Sequence, residues 1–340
     1  MQAYVISRPL KGEIIEIDTP KPKRGWVLVK VTYAGVCGTD VHIFRGEVSV
    51  PLPLVPGHEF SGVVEEVGEG VDGLEKGDKV TVDPNVSCGK CYYCRRGMSH
   101  FCEYWWAVGV HRQGAFAEYV AVPQQNVYKL PDKLSLRAAA FTEPLSCCIH
   151  GQDRAEIKHG DTVLILGAGP IGLLHLQLAR LRGAADIIVA DIVDWKLSVA
   201  DRLGADLTVN PAKESLAKVV RGYTGGRGVN VAIEAAGSVE AFKAGLKALD
   251  FGGTLVLFGV APESAVANLR PFEVYAKELK IVGAKINPYT TERALKLLSS
   301  GKIKVDELVT HEISLEELPA YMEKLAEKKL EALKVLVRPS

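Results

Sequence analysis

The sequence lacks an excess of charge of either sign: forty-one lysines and arginines stand against forty-one aspartates and glutamates. That balance argues against the broad electrostatic footprint by which proteins engage nucleic acid or an anionic membrane, and leaves a small neutral ligand as the expected partner. No stretch reaches the roughly eighteen uninterrupted apolar residues of a membrane span. The first residues, MQAYVISRPLKGEI, have neither the basic head nor the apolar run of a secretory leader, so the cytoplasm is the expected compartment. Internal repeats and low-complexity tracts are also missing. Core-forming material is ample: 340 residues, 47% hydrophobic and 24% charged, enough for two domains.

Cysteine is scarce, with seven residues in all. In a reducing compartment such thiols serve as metal ligands or small buried apolar groups more often than as disulfides. Four of them, Cys88, Cys91, Cys94 and Cys102 in SCGKCYYCRRGMSHFC, follow C-x2-C-x2-C-x7-C. Loops this short let four thiolates close a tetrahedron around zinc. A closed site offers no open position to a substrate, so it staples a loop and performs no chemistry. A nucleic-acid-binding zinc module would use the same staple, with Lys90, Arg95 and Arg96 beside it. The neutral net charge argues against that use.

The segment DTVLILGAGPIGLLHLQLARLRGAADIIVAD predicts an apolar strand, Thr162 to Leu166, that turns through Gly167, Gly169 and Gly172 into a helix. Glycines there permit the tight turn, the approach of the backbone to a pyrophosphate and the packing of helix on strand. A second strand, Ile187 to Ala190, leads to Asp191, whose carboxylate can accept from the ribose hydroxyls of an adenosine. A 2′-phosphate would meet that anion, and no arginine immediately follows. NAD is therefore expected rather than NADP.

Short strands are predicted again near Leu207, at Val229 to Gly237, at Gly253 to Val260 and at Leu279 to Ala284, several of them separated by helical stretches rich in Ala, Leu and Lys. Six parallel strands with crossover helices make an α/β, doubly wound Rossmann sheet. The first 150 residues are different, with short strands and turn signals such as KPKRGW, VPGHEF and EKGDKV, and predict a mostly β domain. After Ile286 the helical TERALKLLSSGK and the alternating KVLVRP fit neither a seventh strand nor a separate domain. The expected division is thus a β domain over 1–150, completed by 287–340, and a nucleotide domain over 151–286.

Within the β domain, GVCGTDVH brings Cys37, Thr39, Asp40 and His42 close together, and PGHEFSGVVEEVGEGV adds His58 and Glu59. A thiolate, an imidazole and a carboxylate, with water between them, can make a three-ligand zinc site that keeps a position open for a substrate oxygen. Two zinc ions per chain are expected, one closed in by cysteines and one open.

With these motifs together, the sequence resembles the zinc-dependent medium-chain dehydrogenases, the family of alcohol, polyol and threonine dehydrogenases. The resemblance covers nearly the whole chain. The family signature G-H-E-x2-G-x5-G-x2-V is matched by Gly57, His58, Glu59, Gly62, Gly68 and Val71, and the four-cysteine lobe matches with its full spacing. The resemblance implies a GroES-like β-barrel catalytic domain, completed by the carboxy-terminal segment, with the active site in the cleft beside a nucleotide domain, in a homo-oligomer, tetramer or dimer. It places Cys37 and His58 as ligands of the catalytic zinc, Thr39 and His42 as a proton relay, and Asp40 as the acid that orients the zinc-bound histidine. It also implies that Lys196 contacts the adenosine ribose and that Lys334 lies near the pyrophosphate.

The polyol branch of that family resembles this chain in carrying EPLS ahead of a histidine, here Glu143 before His150, where simpler alcohol dehydrogenases place a cysteine ligand nearby. Glu143 is thus an expected metal-site residue. Cys147 lies one helical turn further on, with little side chain to reach back, and Cys147 and Cys148 are expected to pack. Glu59 and Glu143 remain alternatives for the third protein ligand. The implied activity is oxidation of a secondary alcohol of a polyol or sugar alcohol. The competing expectations are a threonine-type amino-alcohol dehydrogenase and, from another class, a non-catalytic NAD-sensing zinc protein.

Overall fold

The computed structural model describes residues 1–339, which form two compact units: Met1–Ser146 with the segment from Asn287 onward, and Cys147–Ile286. The division falls inside the helix Thr142–Ala155, slightly ahead of the boundary between 150 and 151 read from the sequence. No helix among the described residues is long and apolar enough to cross a membrane.

The first unit is built on the strand Trp26–Gly35, whose alternation buries Val27, Val29 and Val31 and leaves Lys30 in solvent. One edge pairs antiparallel with Glu59–Val67, followed by Lys79–Val82 and Val127–Lys129. The other edge is shared: Tyr119–Pro123 takes Trp26 to Lys30, and the carboxy-terminal strand Lys334–Arg338 takes Ala34 and Gly35. Lys334–Arg338 pairs parallel with Val309–Ser314 on its far side. Because the central strand divides one edge between two partners, the ladder follows an open path. Among the described residues it does not close into the full barrel implied by the resemblance. Tyr4, Phe60 and Phe116 fill the core beneath it.

The second unit is a parallel sheet of six strands: β1 (Thr162–Leu166), β2 (Asp186–Ala190), β3 (Leu207–Val209), β4 (Val229–Glu234), β5 (Leu249–Leu257) and β6 (Lys280–Gly283). Their order is β3-β2-β1-β4-β5-β6, the doubly wound arrangement. Val163, Leu164, Ile165, Ile187, Ile188 and Val189 are all fully buried, as continuous apolar runs must be when helices cover both faces of a parallel sheet. The strand order reverses between β1 and β4, which is where such sheets open a ligand crevice at their carboxyl ends.

Candidate metal centre and nucleotide site

Cys37 follows the central strand of the first unit and caps the helix Gly38–Arg45 in an extended conformation. Three residues on, the fully buried Asp40 reaches back, and its Oδ2 accepts from the Cys37 amide at 2.8 Å. An acid in the first helical turn that binds the capping amide fixes the entry of the chain. The second carboxylate oxygen accepts from the Gly57 amide at 3.2 Å and lies 3.4 Å from His58 Nδ1. One side chain therefore ties the Cys37 turn to the Gly57–His58 turn.

The strand pairing completes the cluster. Glu59 stands opposite Gly35 in the antiparallel ladder, and a Cβ at Gly35 would overlap Glu59 Oε2, so glycine leaves the space that the carboxylate fills. Ligand atoms of Cys37, His58 and Glu59 all lie within 4.8 Å of one another. His58 Nδ1 is buried with no hydrogen-bond partner of good geometry, the 3.4 Å approach of Asp40 being an ion-pair contact only. Burial alone would lower the His58 pKa, but Asp40 and Cys37 outweigh it and hold it well above the ordinary value. A soft thiolate, an imidazole and a carboxylate that crowd one point and stabilise positive charge there suit zinc.

Lys334, implied by the resemblance to lie near the pyrophosphate, is placed at this cluster. Its buried ammonium donates to Glu59 Oε2 at 2.6 Å and to the Val36 carbonyl at 3.1 Å. Burial works against its charge, yet Glu59 first, then Cys37 and Glu143, raise its pKa above the ordinary lysine value. Glu143 sits buried in the first turn of the helix Thr142–Ala155, outside the three-ligand set but close enough for its charge to act on Lys334. Thr39 accepts a weak bond from the Cys37 thiol at 3.7 Å. His42, one turn further along the same helix, is half-exposed and its Nδ1 pairs with Glu47. Neither the Glu47 contact nor the Lys334–Glu59 pair was foreseen. The first involves an ordinary surface acid, and the second joins residues 275 apart in sequence.

The four cysteines Cys88, Cys91, Cys94 and Cys102 also converge, with all sulfurs within 4.8 Å of one another. Backbone amides of Cys88 and Tyr104 point at Cys102 Sγ, and that of Cys91 at Cys88 Sγ, each at 3.3 Å. Amide donors, the Cys94 N–H foremost, bring the Cys91 thiol down to about 6, whereas burial and neighbouring sulfurs push Cys94 up to about 11. The set can hold negative charge but lacks a counter-charge of its own, which fits a closed zinc site. Cys147 is half-buried, and Cys148 is fully buried with its sulfur 3.8 Å from the Ile171 carbonyl in the second unit.

In that unit, Gly167 adopts a φ of +106° and Gly169 caps the helix Pro170–Leu181, with proline at its first position. A Cβ at Gly172 would collide with the Gly167 carbonyl, so this close turn admits only glycine. Asp191 follows β2; its Oδ2 accepts from the Ala168 amide at 2.7 Å and its Oδ1 from the Val193 amide at 2.9 Å. Each oxygen keeps a second lone pair for a ribose hydroxyl. Lys196, on the helix Asp194–Arg202, lies over the ring of Trp195 at 5.8 Å.

Comparison with known proteins gives two domain matches, an alcohol dehydrogenase GroES-like domain over residues 23–132 and a zinc-binding dehydrogenase domain over residues 170–300. The chain is 38% identical over 321 residues to L-threonine 3-dehydrogenase of Pyrococcus abyssi, covering 92% of this chain and 91% of that protein. It is 37% identical to D-arabitol-phosphate dehydrogenase of Enterococcus avium, covering 92% and 90%. A zinc-binding dehydrogenase of Sinorhizobium meliloti 1021, solved with NADP, superposes with a TM-score of 0.95 at 38% identity over 99% of both chains.

Proposed function

This chain belongs to the zinc-binding alcohol dehydrogenase family, and from that premise we propose that it oxidises a secondary alcohol of a polyol or sugar alcohol, with NAD as hydride acceptor and two zinc ions per chain. The observation that carries this reading is the convergence of Cys37, His58 and Glu59 on one buried point, oriented by Asp40.

Zinc, when bound, supplies the Lewis acidity that makes an alcohol proton labile, and the nicotinamide supplies the hydride acceptor. The rest falls to the protein. Cys37, His58 and Glu59 hold the metal, with Glu143 as a further carboxylate of the site. Asp40 holds the His58 ring, and Lys334 balances the charge of Glu59. Thr39, beside Cys37, receives the alcohol proton, and His42 on the next turn of the same helix passes it towards solvent with the help of Glu47.

Support for NAD is the Asp191 carboxylate at the end of β2, which would repel a 2′-phosphate. The polyol assignment rests on the EPLS sequence around Glu143 and on the arabitol-phosphate relative. The threonine dehydrogenase relative favours a second reading, an amino alcohol as substrate. A panel of polyols, sugar alcohols, their phosphates and L-threonine, assayed for NADH and NADPH formation, separates the two. Turnover of L-threonine far above every polyol would replace the first reading with the second, and no turnover of any alcohol by zinc-loaded protein would leave a non-catalytic nucleotide-binding role.

A further inference from the structure

A chain of hydrogen bonds, part-buried at its start and buried at its end, runs from the four-cysteine lobe to the helical turn that carries Glu143. It starts at Trp105, which packs against the cysteine cluster and whose backbone amide donates to the Cys102 carbonyl at 3.1 Å. Its indole Nε1 donates to Asn85 Oδ1 at 3.1 Å, Asn85 Nδ2 to Asn287 Oδ1 at 2.7 Å, Asn287 Nδ2 to Ser146 Oγ at 2.8 Å, and Ser146 Oγ to the Glu143 carbonyl at 2.7 Å. Asn287 and Ser146 are both buried, and the Thr290 hydroxyl fixes Ser146 from behind by donating to its carbonyl at 2.8 Å.

The polarity of this chain is set by the indole at one end and by the neighbouring Asp83 carboxylate, which draws hydrogen bonds from the side chains of both Asn85 and Asn287. An indole N–H can only donate, so Asn85 must turn its oxygen towards Trp105 and its amide protons towards Asn287. Asn287 must follow suit and present its own NH2 to Ser146, which leaves the hydroxyl proton for Glu143. With the indole donor removed, Asn85 Oδ1 loses its partner, and the hold on Asn287 and on the Ser146 hydroxyl loosens.

We propose that Asn85 and Asn287 are positioning residues, which carry an orientation set at the four-cysteine lobe to the Glu143 turn, so that the staple tunes the reacting site as well as holding a loop. The proposal rests on the reading of Glu143 as part of the metal site. It gives the two asparagines a purpose that packing alone does not supply, because apolar side chains of similar size would fill the same space without leaving polar groups to satisfy.

Trp105→Phe is the first test, because the ring keeps its packing on the cysteine lobe and only the donor is lost. Asn287→Asp, which when ionised has no N–H to give Ser146, breaks the chain at its middle and provides a second variant. Each should lower kcat roughly 10-fold, the low end of the range for side chains that orient a metal ligand, with KM for NAD unchanged. Amide hydrogen exchange should quicken at the 142–146 turn in both zinc-loaded and metal-free protein. In a Glu143→Gln background, Trp105→Phe should have no further effect on kcat. A Trp105→Phe protein that loses only thermal stability, or loses kcat equally in both backgrounds, overturns the relay while the Glu143 reading stands. Full activity of Glu143→Gln overturns the Glu143 reading, and the relay with it.

Discussion

Lys334 Nζ lies 2.6 Å from Glu59 Oε2, a pair in which both side chains are buried and which joins the last strand of the first unit to the strand Glu59–Val67. Removing one partner strands the other as a buried charge, at a cost of about 3–5 kcal/mol. Lys334→Met should therefore destabilise the metal-free protein by about that much, and the double variant Lys334→Met/Glu59→Gln should recover a good part of the loss. Denaturant unfolding of the wild type, the two single variants Lys334→Met and Glu59→Gln, and the double variant checks this; a double variant as unstable as the sum of the singles would show that the two groups do not depend on each other.

The raised pKa of His58 carries a pH dependence with a definite sign. Its folded value, held up by Asp40 and Cys37 against the effect of burial, exceeds the ordinary value of about 6.5. The stabilisation is fully present below about pH 6.5 and is lost as pH rises through the folded value. Metal-free protein should show this loss, whereas zinc takes the place of the proton and removes it. Zinc binding should accordingly release protons and weaken as pH falls. Calorimetry in buffers of different ionisation enthalpy measures the release, and a zinc affinity independent of pH between 5 and 8 would refute the assignment.

The proposal of two metal sites, unequal in duty, implies two kinds of variant. Cys94→Ser should lower zinc content and thermal stability together, since its sulfur belongs to the closed set. His58→Ala should abolish turnover with a smaller loss of stability, because the cysteine lobe still holds its own metal. Metal analysis that finds a single zinc per chain in fully active protein would rule the arrangement out.

At the nucleotide turn, Gly172→Ala should all but eliminate cofactor binding, because the added methyl collides with the Gly167 carbonyl and must displace the phosphate-facing loop. Asp191→Ala should weaken NAD use and narrow the gap to NADP by removing a ribose acceptor and a repulsive charge together. The ratio of kcat/KM for the two cofactors is the measurement. A wild-type preference for NADP would reverse the cofactor assignment.

Glu143, Cys147 and Cys148 invite a direct comparison. Glu143→Ala should lose activity about 10- to 100-fold and part of its zinc. Cys147→Ala and Cys148→Ala, by contrast, remove a small soft side chain, and their effect should fall mainly on thermal stability. If Cys147→Ala strips zinc while Glu143→Ala keeps it, the site is of the simpler alcohol dehydrogenase kind and the polyol reading loses its main support.

The sequence by itself determined what depends on neighbours along the chain. The four-cysteine spacing, the glycines that turn β1 into its helix, the carboxylate after β2 and the apolar runs of the parallel sheet are local patterns, because loop closure, positive φ and strand burial leave their mark within a few residues. Tertiary structure alone decided which acid stands within reach of Cys37 and His58, because the antiparallel register that sets Glu59 opposite Gly35 depends on two strands meeting. It also gave Lys334, 275 residues further along the chain, its buried pair with Glu59. Contacts between residues hundreds of positions apart leave no periodicity to read. They exist only once burial has made an unpaired charge too costly and the fold has brought the one available counter-charge to it.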